Sequence, residues 1–180
     1  KEYMSDSLEN VYKDKLKEAI SVGHEVLKNG GTSMEAVART INILEDSPLF
    51  NAGKGSVFTH EGSNELDASI MDGETLNAGA VAGVKHIKNP INLAKDVMEK
   101  SPHVMLYGSG AEKFAQTLNY KMMDTSYFYT QSRHESLQNA LKNENKKVSS
   151  VNPLANDSKF GTVGCAALDK HGNLAAGTST

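Results

Sequence analysis

The chain holds one cysteine, Cys165, among 180 residues. No intrachain disulfide can form, so stability must come from a packed core, and a reducing, cytoplasmic location is the expectation. Long apolar runs are also missing. None approaches the roughly 18–20 residues that a bilayer-spanning helix requires. Neither sign of charge is in excess: the net charge of −3 creates no field that would gather nucleic acid or an anionic membrane. The opening residues, Lys1 to Asp6, lack the basic and then apolar order of a secretory leader. They also lack an initiator methionine at position 1, and the other end stops on a strand-like segment, so both ends are expected to be cut.

Familiar cofactor signatures are absent too. His24, His60, His86, His103, His134 and His171 are scattered, without an HxxxH spacing or a CxxC partner. Gly108-Ser109-Gly110 follows a strand-like run but lacks the third glycine of a dinucleotide turn. No internal repeat or low-complexity tract stands out. What remains is an ordinary globular composition, 38% hydrophobic and 23% charged, in a length that suits one domain with a real core.

Leu8, Tyr12, Leu16, Ala19, Ile20, Gly23 and Leu27 recur at helical spacing up to Gly30-Gly31. Thr32-Ser33-Met34-Glu35 reads as a capping box that starts a second helix, so two helices are expected within residues 6–45. Strands are predicted at 56–59, 65–71, 76–84 and 104–107. Helices are predicted from Asn89-Pro90 to about Lys100, with Asn89 as cap, at 111–118 and at 132–142. The small residues of 78–83 suit a strand with another layer packed close over it. The polar stretch 143–161 reads as a mobile linker. It divides the domain into a part at 1–142 and a part starting at residue 162. The whole is mixed α and β, with antiparallel strands dominant.

The final residues carry the chemistry. Gly161 to Leu168 and Leu174 to Thr180 flank Asp169-Lys170-His171-Gly172-Asn173, which reads as a β-hairpin. Thr162 opens its first strand. A threonine there commonly reflects β-propensity alone. The alternative is a latent nucleophile, freed when the Gly161–Thr162 bond breaks. Glycine leaves that carbonyl unhindered, the linker upstream can move away, and small residues downstream leave room for a substrate. An N-terminal threonine supplies its own base: an α-amine with a pKa near roughly 8 is partly neutral at physiological pH. The turn centres on His171, so Thr162 and Thr180 should face each other across the ladder. Cys165 reads as a structural thiol rather than a nucleophile, and Asp67 and Asp72 as turn and strand-edge residues rather than an acid–base pair.

The stretches Gly161 to Gly164 and Asn173 to Thr180 resemble the plant-type L-asparaginase and isoaspartyl peptidase family of N-terminal nucleophile hydrolases. So do Pro48 to Thr59, Glu65 to Ala68, Met71 to Gly73, Ala78 to Val84 and Ser101 to Met105. The resemblance covers nearly the whole chain. It implies an αββα sandwich, here incomplete at both ends, autoproteolysis before Thr162, and a dimer of cleaved heterodimers. It implies hydrolysis of L-asparagine and β-aspartyl dipeptides, with Thr162 as nucleophile, Thr180 as its neighbouring hydroxyl and Asn51 as a supporting site asparagine. It implies no catalytic cofactor but a structural sodium ion on the backbone carbonyls of Leu44, Glu45, Ser47, Phe50, Ala52 and Lys54. Lys54 stands where the family is usually apolar.

The family also has a His-Gly-Gly-Ala-Gly strand before this region. After it come an arginine and an aspartate that hold the substrate, and a Thr-Gly oxyanion hole. Lacking these, the chain as given is expected to be inactive. Glycosylasparaginase, which shares the fold, and a non-catalytic dimerising relative are the rival readings.

Overall fold

A computed structural model describes residues 5–147 and 161–180. The chain opens with two helices, α1 (Asp6–Lys28) and α2 (Ser33–Glu45). The Thr32 hydroxyl accepts from Glu35 N at 3.1 Å, the half of the expected capping box that satisfies a free helix donor. α2 is the buried helix: Val37 and Ile41 are fully enclosed.

Strands β1 (Leu66–Asp72) and β2 (Ala78–Val84) form an antiparallel pair. Next come α3 (Pro90–Lys100), β3 (Met105–Tyr107), α4 (Gly108–Thr117) and α5 (Gln131–Lys147), then β4 (Val163–Leu168) and β5 (Leu174–Ser179). The strands make one mixed sheet in the order β3-β2-β1-β5-β4. β3 runs parallel to β2, whereas the expectation stressed antiparallel runs; α3 carries the chain back across the sheet between them, which a parallel pair requires.

Period-two patterning sets which face meets the helices. Leu66, Ala68 and Ile70 are buried while Asp67, Ser69 and Met71 are exposed. Across the ladder Ile70 faces Gly79 on one side and Gly177 on the other. At Gly79 a Cβ would stand 2.1 Å from the Ala94 carbonyl oxygen of α3. At Gly177 it would stand 2.9 Å from Val37 Cγ1 and 3.1 Å from Ile91 Cδ1. These glycines let α2 and α3 lie directly on the sheet, as the small-residue run predicts. The mixed α and β class is as expected. The described residues contain one sheet with α2 and α3 against one face.

Three local expectations need correction. Residues 56–59 form no strand; only Phe58 bridges Asn64. The Asn64 amide donates to the carbonyls of Ser56 and Val57, both at 3.1 Å, and Val57 N donates to Asn51 Oδ1, so the groups a ladder needs are already taken. Asn89 precedes α3 but does not cap it with its side chain, which reaches Glu45 and Asp46 instead. Within the stretch 143–161, α5 continues to Lys147, and residues 148–160 lie outside the described residues.

Candidate active site

The hairpin forms as expected around its polar turn. β4 and β5 pair in strict antiparallel register from Leu168↔Leu174 to Val163↔Ser179. The pairing ends at Val163↔Ser179, one residue short of Thr162 and Thr180, which the same register continued by a step would oppose. Thr180 lies on the face that carries Thr178, Ser69 and Asp67, opposite to the buried Val163 and Ser179, and Thr162 is exposed. Opposed residues in such a ladder hold their Cβ atoms about 4.5–5.5 Å apart, within reach of hydroxyl-to-hydroxyl contact. Gly161 and Thr162 are both exposed, and among the described residues no atom beyond its chain neighbours lies within 4 Å of where a Cβ would stand on Gly161.

The turn is built by one carboxylate. Asp169 Oδ1 accepts from His171 N at 2.9 Å and Asn173 N at 3.0 Å, and Oδ2 accepts from Ser33 N at 3.3 Å. Burial raises the Asp169 pKa, but those three backbone donors outweigh it and hold the carboxyl below its ordinary value. The hairpin is thereby fastened to the N-terminus of α2.

Thr180 is gripped at both backbone and side chain. Its N–H donates to Asp67 O at 2.9 Å and its carbonyl accepts from Asp67 N at 3.0 Å. Asn51 Nδ2 donates to Thr180 Oγ1 at 3.1 Å. Val57 N donates to Asn51 Oδ1 at 2.9 Å, which fixes the amide with its NH2 toward the threonine. Because Asn51 fills a lone pair of Oγ1, the threonine's own proton remains available for a further acceptor. A depression of about 250 Å³ beside Thr180 is bordered by Asp67, Ser69, Ala80, Met105 and Thr178.

Asn51 sits on a loop whose carbonyls point inward. A Cβ on Gly53, which has φ +50°, would stand 2.4 Å from Glu45 O; one on Gly55 would stand 2.1 Å from Phe50 O and 2.8 Å from Pro48 O. Only glycine fits there. Leu44 O, Phe50 O and Ala52 O each accept one backbone N–H, at 3.2, 3.0 and 3.1 Å, which leaves a lone pair on each. This all-oxygen donor set suits a hard monovalent cation. The Lys54 ammonium lies 5.5 Å from the centroid of the Tyr127 ring, a cation–π contact.

A family model described as asparaginase matches residues 1–180. This chain belongs to the asparaginase family. It is 46% identical over 178 residues to the isoaspartyl peptidase of Escherichia coli, covering 98% of this chain and 56% of that one. It is 41% identical over 178 residues to the isoaspartyl peptidase/L-asparaginase of Mus musculus, covering 98% and 53%. It is 42% identical over 170 residues to the plant-type L-asparaginase of Pyrococcus furiosus, covering 92% and 55%. The chain thus spans little more than half the length of these curated relatives.

Within this asparaginase-family chain, the other candidates take structural roles. Burial pushes the Cys165 thiol up, which disfavours the thiolate. Asp67 Oδ1 accepts from Gly83 N at 2.8 Å; Asp72 accepts from Glu74 N at 3.0 Å and the Thr75 hydroxyl at 2.8 Å. Among the described residues, no group of three or more His, Cys, Asp and Glu side chains could hold a metal, and no helix is long and apolar enough to cross a membrane.

The side chain of Glu45 escaped sequence reasoning. It is fully enclosed. Oε1 accepts from Ser179 Oγ at 2.7 Å and Ile91 N at 3.0 Å, and Oε2 accepts from Asn89 Nδ2 at 3.0 Å and Asn42 Nδ2 at 3.4 Å. Desolvation dominates over these hydrogen bonds and pushes its carboxyl up to about 7. A glutamate closing a helix ordinarily reads as a solvated residue. The one available signal was the apolar face of α2, which runs on through Leu44 to this position.

Proposed function

We propose that the protein carrying this chain is a threonine-nucleophile amidohydrolase that cleaves itself at Gly161–Thr162 and hydrolyses L-asparagine and β-aspartyl dipeptides. The observation that carries this reading is the Asn51–Thr180 hydrogen bond at 3.1 Å, beside a hairpin whose register, continued by one residue past Val163↔Ser179, would bring Thr162 opposite Thr180. The relative named for both activities and the one named isoaspartyl peptidase each match nearly the whole chain and support it.

In the precursor the Thr162 nitrogen is an amide and cannot act as base. Its hydroxyl oxygen attacks the Gly161 carbonyl carbon, the C–N bond breaks, and the chain is joined through an ester. Water hydrolyses that ester, leaving a carboxylate on Gly161 and a free α-amine on Thr162. In turnover the α-amine takes the hydroxyl proton as the oxygen attacks the substrate's side-chain carbonyl, then returns it to the leaving amine. Ammonia or an amino acid departs, and water hydrolyses the β-aspartyl ester. The Thr180 hydroxyl, oriented by Asn51, donates to the Thr162 oxygen as charge builds on it.

A sodium ion held by the carbonyls of Leu44, Glu45, Ser47, Phe50, Ala52 and Lys54 would neutralise their converging dipoles and stiffen the loop that carries Asn51. The whole protein acts as a dimer of cleaved heterodimers. The test is ammonia release from asparagine and amino-acid release from a β-aspartyl dipeptide by the full-length protein. Activity on both is expected. Activity on neither, in protein shown to be cleaved, would favour a non-catalytic relative.

A further inference from the structure

Glu45 is costly where it stands. An enclosed carboxylate surrounded by neutral donors is a poorer source of stability than an apolar side chain of similar volume. Its four hydrogen bonds come from α2, from the start of α3 and from the end of β5. The shortest goes to Ser179, the residue before Thr180. Glu45 also opens the loop that delivers Asn51 six residues later. One side chain therefore joins the strand end that bears Thr180 to the loop that bears Thr180's hydrogen-bond donor.

We infer that Glu45 is a positioning residue for Thr180, acting through Ser179. This rests on the threonine-nucleophile reading above. Thr180 is held on the exposed face of β5 by Asn51, and along its backbone by Asp67. Neither contact ties the strand end to the helix layer on the opposite face. The Glu45–Ser179 bond does, because Ser179 projects from the opposite, buried face into the junction of α2 and α3. The attacking oxygen and its partner hydroxyl tolerate little misplacement: an error of about 1 Å can reduce turnover about 100-fold. Glu45 touches neither the nucleophile nor the depression beside it, so it sets geometry without contributing to substrate affinity.

The experiment measures kcat and KM per cleaved site, with N-terminal threonine counted by intact mass, in full-length wild type, Ser179→Ala, Ser179→Thr, Glu45→Gln and the Glu45→Gln/Ser179→Ala double variant. Glu45→Gln keeps the backbone carbonyl and so preserves the loop's donor set. The inference predicts kcat per cleaved site about 10–100-fold lower in Ser179→Ala, with KM for asparagine unchanged. Ser179→Thr, which restores the hydroxyl, recovers most of the loss. Glu45→Gln keeps an acceptor for the Ser179 hydroxyl but turns an NH2 toward the Asn42 and Asn89 amide donors, which unseats the far end of the same link, so the double variant is no slower than the slower single one. A role in folding alone would lower yield and melting temperature while leaving kcat per cleaved site intact, and that result in Ser179→Ala overturns the inference even if Glu45→Gln does not fold. Unchanged kcat in the variants beside an active, cleaved wild type defeats this inference only. An uncleaved, inactive wild type defeats the threonine-nucleophile reading and this inference with it.

Discussion

Asn51 donates one hydrogen bond and accepts another, and its function depends on both being made. Asn51→Asp keeps the acceptor for Val57 N but replaces the donor to Thr180 with a second acceptor. It should therefore lower kcat about 10–100-fold, with little change in melting temperature, measured by steady-state kinetics and calorimetry. Asp169 makes a pH prediction. Its folded pKa lies below its ordinary value of 3.8. Its contribution to stability is then complete above the unfolded pKa and disappears as pH falls through the lower folded value. Asp169→Asn should melt below wild type at pH 7, and in thermal scans the gap should narrow as pH falls below the ordinary carboxylate range. At this scale hairpin symmetry singles out Thr162 and Thr180 and motif context singles out Asn51, and the structure adds the hydrogen bond that joins Asn51 to Thr180. Glu45 was not legible in the sequence. Its partners Ile91 and Ser179 lie 46 and 134 residues away in sequence, so nothing local distinguishes it from a solvated helix-end glutamate. Asn89 was misread for the same reason: a buried carboxylate attracts its amide more strongly than the start of its own helix does.

The elements are placed by close contact of sheet and helices. Gly79 and Gly177 both lie where a methyl group has no room, but their neighbours differ. At Gly79 the obstacle is a backbone carbonyl 2.1 Å from the Cβ position; at Gly177 it is the flexible ends of Val37, Ile91 and Ile41, at 2.9–3.2 Å. Gly79→Ala should destabilise by about 1–3 kcal/mol or more, and Gly177→Ala by less, which denaturant melts of the two variants would rank. α1, α2 and β1 were readable from periodicity, and α3 from the Pro90 at its first position. The predicted strand at 56–59 failed because side chains there compete for the backbone. Its β-rich composition gives no hint that Asn64 folds back onto Ser56 and Val57.

For the whole molecule, the α and β class follows from patterning, whereas the strand order β3-β2-β1-β5-β4 does not. Insertion of β5 between β1 and β4 depends on a register set by contacts more than 100 residues apart, such as Ser69 Oγ to Thr178 Oγ1 at 3.0 Å. That insertion brings the last residue of the chain against Asp67 and beneath Asn51. It turns a hairpin with two threonines into a candidate catalytic pair in an asparaginase-family fold. The proposed self-cleavage follows from that pair and from the exposed Gly161–Thr162 bond. Intact mass spectrometry of the full-length protein, with N-terminal sequencing, tests it most directly. The wild type should yield two polypeptides, the second starting at Thr162, and Thr162→Ala should remain one chain without activity. A wild type that stays whole, or a Thr162→Ala protein that still splits at this bond, would contradict it.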